Sequence, residues 1–332
     1  MYDIAAQVRK WLDDGRAVDL ATVIATRGFS SRTPGAAIAW TGQESVGRLD
    51  APLAPSAIRG SGLVDVEISE ADALAAGLAC GGTATLLVRP AAEYPRELWD
   101  RLENREPVCL VTPVGSGAPA ALGTTTLLTP ASIRDAYGYA DPVPRLFGRG
   151  TTAVTVVEGD PRTVAVAYWP VPRLAVVGEG LIAEALEGAG ALLGWSVQVV
   201  PDADAAVAVA RDLHASDAFV VLSHDRDVDG PALAAALDGG AGYVGALGSR
   251  RTQAARRDWL TDFGVSEADQ DRIHGPAGLD IDAHTPAEIA ISIVAEIVAG
   301  RSSAGGGALR DRRGPVHVGG VHAPPPRYGV SG

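Results

Sequence analysis

Leu174–Leu186 reads LAVVGEGLIAEAL. A short apolar run ends at Gly178-Glu179-Gly180, and a helix-favouring run begins at once. Glycine at 178 permits a tight turn, and glycine at 180 permits close backbone approach to a pyrophosphate. Ala183 stands in the third small position, where a helix must pack closely on a strand. The flanking chain repeats the alternation. Strands are expected at Arg173–Val177, Ser196–Val200, Ala218–Ser223 and Tyr243–Leu247, with helices near 181–193, 203–213 and 230–238. This predicts an α/β fold over 173–300, a Rossmann-like doubly wound parallel sheet.

Beyond the last of these strands, Gly248-Ser249 leads into Arg250 and Arg251 where a helix should start. Free N–H groups and partial positive charge at a helix N-terminus suit an anion. Arg256 and Arg257 extend the basic cluster. His224, in Ser223-His224-Asp225, leaves the third strand at the end where parallel sheets bind ligands. It reads either as a ligand-binding group or as part of a polar loop. Asp229 or Gly230 is expected to cap a helix beginning at Pro231. His274 opens a compact turn, IHGPAGLD, and reads either as a loop hydrogen-bonder or as a functional group. Thr285, Pro286 and Glu288 spell an N-cap, a first helical residue and a capping box. Ile289, Ile293 and Ile297 then form the buried stripe of a last helix.

Residues 1–169 read as a mixed α/β N-terminal domain, with helices near 3–15, 69–79 and 94–104 among several strands. Pro170-Val171-Pro172 is the expected boundary. From Arg301 the chain is rich in Gly, Pro and Arg without hydrophobic period, so 301–332 reads as a disordered tail holding His317 and His322. Two domains suit 332 residues. A net charge of −12 argues against a nucleic-acid binder, while the local arginine cluster can still hold a small anion. Two cysteines make no disulfide framework, and no apolar run is long enough to span a bilayer. A cytoplasmic protein is expected, with no nucleic-acid or membrane partner. Cys109, within a strand, reads as a small buried hydrophobe. Cys80 precedes Gly81-Gly82, whose backbone can approach a ligand, and its soft thiolate suits metal–sulfur chemistry.

YVGALGSRRT, IHGPAGLDI and TPAEIAISIVAEI, in that order, resemble the C-terminal part of the xanthine dehydrogenase accessory family (XdhC/CoxI). The segment TVIATRGFSSRTPG (22–35) and Cys80-Gly81-Gly82 are similar to its N-terminal part. The chain departs from the family's pattern in three places. Leu181 replaces a histidine, Pro201-Asp202 replaces a direct aspartate, and 46–52 lacks an upstream cysteine. The resemblance implies a chaperone for molybdenum cofactor (molybdopterin), a pterin with a phosphate and a dithiolene. It would support sulfuration or insertion of the cofactor into a xanthine dehydrogenase-type molybdenum hydroxylase. A cysteine desulfurase and a homodimer are further implied partners. The cofactor is expected between the domains. Arg250 and Arg251 would clamp the phosphate, and Cys80 would face the metal as its protein ligand. Arg32, Gly81, Gly82, Gly178, Gly180, His224 and His274 complete the candidate set. Delivery needs no catalytic turnover, so no catalytic residue is assigned. Two alternatives stand: an NAD(P)-dependent oxidoreductase using Gly178–Ala183, and a cofactor-free interaction protein of the same family.

Overall fold

The computed structural model describes residues 1–27, 34–42, 44–49, 55, 58–75, 81–115, 121–136, 142–159, 161–301 and 305–311. The chain divides into two compact units, Met1–Trp169 and Pro170–Arg313. In the first, β1 (Asp19–Arg27), β2 (Ala37–Thr41), β3 (Glu44–Gly47), β4 (Gly62–Ile68) and β5 (Gly82–Pro90) form a sheet ordered β3-β2-β1-β5-β4. A second sheet, β7-β6-β9-β8, comprises β6 (Val108–Val114), β7 (Thr126–Leu128), β8 (Ala153–Val157) and β9 (Arg162–Tyr168). All pairings in both sheets are antiparallel. Side chains alternate between faces along a strand. Leu87 accordingly joins the core shared by both sheets, while Leu86 and Val88 join another on the opposite face.

Helices α1 (Ala5–Asp13) and α3 (Glu97–Glu103) close the shared core through Trp11 and Trp99. The remaining helices are short: α2 (Glu70–Ala75), α4 (Ser132–Ala136) and α5 (Pro142–Phe147). Cys109 is fully buried on β6, and burial pushes its thiol up to about 12.

The second unit holds β10 (Arg173–Val177), β11 (Ser196–Val200), β12 (Ala218–Val221), β13 (Tyr243–Ala246) and β14 (Ile273–His274). They form one parallel sheet ordered β11-β10-β12-β13-β14. The helices are α6 (Leu181–Leu192), α7 (Ala203–Arg211), α8 (Arg226–Gly239), α9 (Arg250–Leu260), α10 (Glu267–Gln270) and α11 (Pro286–Arg301). Leu174 to Val177 are all buried, as a strand covered on both faces requires. One face packs on α7, α8 and α9 through Ala206, Leu233 and Leu260. The other packs on α6 and α11 through Leu186, Ile293 and Ile297. From β10 the chain steps to β11 on one side, then crosses to β12 on the other. The carboxyl ends of β10 and β12 therefore flank a topological switch point.

Two expectations change. The compact turn at His274 begins with a two-residue fifth strand, β14, too short to show a period. Helix α8 starts at Arg226, not Pro231. Asp225 is its N-cap and accepts Asp227 N–H at 2.9 Å. Pro231 lies inside the helix and forfeits one bond there. At the chain's C-terminal side, α11 runs through Arg301, and Leu309–Asp311 form a 3₁₀ turn. His317 and His322 lie outside the described residues. The close packing of the helix-to-strand turns yields a test. A Cβ on Gly242 would run into the backbone oxygen of Ala215. Gly242→Ala is expected to destabilise the protein by about 1–3 kcal/mol in urea unfolding. Wild-type stability would mean that the Ala215 turn gives way freely.

Candidate functional site at the strand ends of the second unit

The carboxyl ends of the parallel strands carry Gly178–Gly180, Ser223–Asp225, Leu247–Arg251 and His274–Pro276. Gly178 and Gly180 both have positive φ, +106° and +108°, a backbone that favours glycine. Gly178 N–H donates to Val200 O at 3.0 Å, turning the loop over β11. A Cβ on Gly180 would meet nothing within 4 Å, so the space above it is open. Gly180 is the N-cap of α6 and contributes no side-chain cap, which leaves that end without an internal acceptor from its own cap residue. Glu179 is exposed beside it and places a carboxylate next to the opening.

Ser249 caps α9, accepting Thr252 N–H at 3.2 Å. Arg250 and Arg251 follow on the first turn. Both are exposed, and neither side chain has a hydrogen bond or ion pair among the described residues. The rest of the basic cluster behaves differently from the expectation. Arg257 pairs with Asp271. Arg256 is buried and pairs with buried Asp229 at 2.9 Å. Burial pushes the Asp229 carboxyl up, against the pull of Arg256. Asp229 is thus a buried counter-ion, and the expected capping role belongs to Asp225.

Arg256 also holds the rim in place. It donates to Leu247 O at 3.1 Å and Gln253 Oε1 at 2.7 Å, with a longer contact to Ser223 O at 3.4 Å. Gln253 in turn donates to Ala246 O at 2.9 Å. One buried charge pair therefore braces the loops after β12 and β13. The three-residue spacing of Gln253 and Arg256 places them on one helix face. Nothing local marks Asp229 as the partner of Arg256.

His224 sits exposed in the loop after β12, without a described hydrogen bond. His274 is better held. Its Nδ1 lies 3.0 Å from Glu296 Oε1, and its ring stacks on Tyr243 at 4.4 Å. Glu296 Oε2 accepts from Tyr243 Oη at 2.5 Å and from Gly278 N–H at 2.8 Å. Tyr243 and Glu296 were not legible as site residues, because they read as a strand position and a helix position. Burial acts to raise the Glu296 carboxyl. The bonds from His274, Tyr243 and Gly278 outweigh it and hold the group below its ordinary 4.5.

A depressed carboxyl contributes stability that is present above its unfolded value and lost as pH falls through its folded value. The melting temperature should therefore fall more steeply in acid for wild type than for Glu296→Gln. Parallel acid limbs in the two proteins would contradict this. The cap at Thr285 is as expected: Glu288 accepts Thr285 N–H at 2.8 Å, and Thr285 Oγ1 accepts Glu288 N–H at 3.3 Å.

In the first unit, Arg32 and Cys80 lie outside the described residues. Gly81 and Gly82 are described, and packing already requires one of them. A Cβ on Gly81 would stand 2.6 Å from Ile68 O, and Gly82 pairs with Ile68 in the sheet. Among the described residues no group of three or more His, Cys, Asp or Glu is placed to hold a metal. An apolar groove of about 1080 Å³ runs between α6 and α11, lined by Leu192, Leu193, Ile291 and Val298. None of the rim residues lines it.

Residues 174–297 match the XdhC Rossmann domain. The parallel-sheet part of the second unit is therefore an XdhC Rossmann domain. It is 29% identical over 192 residues to the uncharacterized protein YqeB of Escherichia coli (strain K12), covering 50% of this chain and 35% of that protein. It is 30% identical over 136 residues to the molybdenum cofactor insertion chaperone PaoD of the same organism, covering 41% of this chain and 42% of the other. The chain thus spans less than half the length of these curated relatives. A solved structure of a xanthine dehydrogenase from Bacillus halodurans aligns with 90% of this chain and 96% of its own, at 21% identity and a TM-score of 0.45. No helix of the described residues is long and apolar enough to cross a membrane.

Proposed function

We propose that this protein, which carries an XdhC Rossmann domain, is an accessory protein of a xanthine dehydrogenase-type molybdenum hydroxylase. It binds molybdenum cofactor and supports its sulfuration or insertion. One observation carries the reading: two exposed arginines without internal partners stand at the N-terminus of α9, on the ligand-binding end of a Rossmann sheet. Similarity to a molybdenum cofactor insertion chaperone supports the choice of ligand.

The residues present fit a phosphate. Arg250 and Arg251 supply charge-assisted donors, and the α9 N-terminus adds partial positive charge. The open space over Gly180 leaves room for further polar contact. In this reading His224 and His274 line the same end of the sheet. Cys80 is the proposed protein ligand of the metal, and Arg32, Gly81 and Gly82 are further proposed cofactor contacts. The cofactor supplies the metal and its sulfur chemistry; the chain binds, orients and hands it over. A cysteine desulfurase would be the sulfur source and the hydroxylase the recipient, in the cytoplasm, with the accessory protein acting alone or as a homodimer.

An NAD(P)-dependent oxidoreductase draws support from the positive φ of Gly178 and Gly180. Two features weigh against it. Asp202, the acid after β11, is spent as the N-cap of α7 and accepts Ala205 N–H at 2.8 Å. Glu179 would repel a pyrophosphate at the loop. The test is co-expression with the molybdenum cofactor pathway, followed by metal analysis of the purified protein and a nicotinamide titration. Bound molybdenum with no nicotinamide response is expected. A nicotinamide complex without molybdenum would favour the dehydrogenase, and neither ligand would favour the cofactor-free interaction protein.

A further inference from the structure

Glu296, on α11, uses its Oε2 for two donors, the Tyr243 hydroxyl at 2.5 Å and Gly278 N–H at 2.8 Å. Its Oε1 faces His274 Nδ1 at 3.0 Å. An ionised carboxylate can only accept, so Nδ1 must carry a proton. In a neutral imidazole the other nitrogen then has a free lone pair. Nε2 has no hydrogen-bond partner among the described residues, and the His274 side chain is 41% exposed.

The ring is held against reorientation. Tyr243 stacks on it at 4.4 Å with the planes 28° apart. That stack needs glycine at 245, because a Cβ there would come 2.6 Å from the Tyr243 ring. The turn is tied to α11 as well. Ser292 Oγ donates to Leu279 O at 2.6 Å, and Leu279 N–H donates to Ser292 O at 3.2 Å. A Cβ on Gly278 would collide with Ser292 Oγ. Gly278, with φ of +114°, therefore keeps its N–H on Glu296. A histidine that only packed would not need its proton position set by a carboxylate with two further donors on it.

We propose that Glu296 and Tyr243 are positioning residues that lock His274 in its Nδ1–H tautomer, and that His274 Nε2 accepts a hydrogen bond from a heterocyclic N–H of the bound ligand. The ligand class is a nitrogen heterocycle with ring or amino N–H donors, such as a pterin. Its identity rests on the accessory-protein reading above; the tautomer does not.

Long-range proton–nitrogen correlation spectra of the histidine-labelled full chain decide the first part. The signal lost in His274→Asn identifies His274. It should show the Nδ1–H pattern in wild type and move toward the Nε2–H form in Glu296→Gln, with Tyr243→Phe between them. An Nε2–H or averaged His274 in wild type overturns the proposal, with or without cofactor.

His274→Asn decides the second part. Its amide N–H stands near the place of Nδ1–H and can still serve Glu296, but Nε2 is gone. Protein co-expressed with the cofactor pathway should then retain about tenfold less pterin, the loss expected of one hydrogen bond of about 1.4 kcal/mol. Wild-type retention in a folded His274→Asn overturns the acceptor role. If an Arg250→Ala, Arg251→Ala double variant loses the ligand while His274→Asn does not, the cofactor reading survives and only this proposal falls. If neither variant loses it, the acceptor role falls and the anion site lies elsewhere; if wild type itself retains no pterin, the accessory-protein reading falls.

Discussion

Arg256→Ala is expected to destabilise the second unit by about 3–5 kcal/mol, because it strands the Asp229 carboxylate in the interior. The two side chains are 3% and 1% exposed, so water cannot take over the lost partner. One oxygen of Asp229 already lacks a described hydrogen-bond partner, and the substitution would leave the second without its guanidinium. The loss is a large part of the roughly 5–15 kcal/mol that holds an ordinary domain folded.

The effect should reach the rim, because the same guanidinium bonds Leu247 O and Gln253. Hydrogen exchange on the full chain should show β12, β13 and their following loops opening first. Asp229→Asn keeps an acceptor for Arg256, whose guanidinium also retains Leu247 O and Gln253 Oε1, so its loss should be smaller, about 1–3 kcal/mol. The Arg256→Ala deficit should also narrow as pH falls. Protonating an isolated buried carboxyl removes the charge that burial opposes. Near-wild-type unfolding of Arg256→Ala would show that Asp229 is not held charged in the interior.

Replacing Arg250 and Arg251 together by alanine should do the opposite, with a large effect on ligand and little on fold. Each charge-assisted contact to a phosphate contributes about 1.5–3 kcal/mol. Loss of both weakens retention by roughly a hundredfold to ten-thousandfold if the contacts add. The melting temperature should barely move, since both side chains are exposed and make no described internal contact. Molybdenum per purified protein reads the first quantity and thermal unfolding the second. Unchanged molybdenum would move the anion site elsewhere. A marked fall in melting temperature would show that the two arginines support the fold.

The contrast between Arg250 and Arg256 measures what could be read ahead of the structure. All four arginines of the cluster looked alike along the chain. Arg256 differs only because Asp229, 27 residues away in the chain, is brought under it. The same holds for the Tyr243–Glu296 bond, which joins positions 53 residues apart. His274 was legible as a candidate because a histidine in a glycine turn is locally conspicuous. Glu296 was not, since a glutamate in an amphipathic helix has every local reason to face water. Arg32 and Cys80 lie outside the described residues.

The sequence by itself determined the features whose causes lie within a few residues. The apolar runs became β10, β11, β12 and β13, the glycines at 178 and 180 took positive φ, and Thr285 with Glu288 closed the last helix. Only the tertiary structure decided where α8 begins. Pro231 locally reads as a helix start, but an Asp225 cap and a buried Asp229–Arg256 pair lie before it. It also decided the two-residue β14, which exists through its pairing with β13. Above all it decided which charges are free to bind. The fate of a charge depends on what packs over it and what faces it. Desolvation and pairing are properties of the folded environment, which residue type and spacing along the chain do not contain.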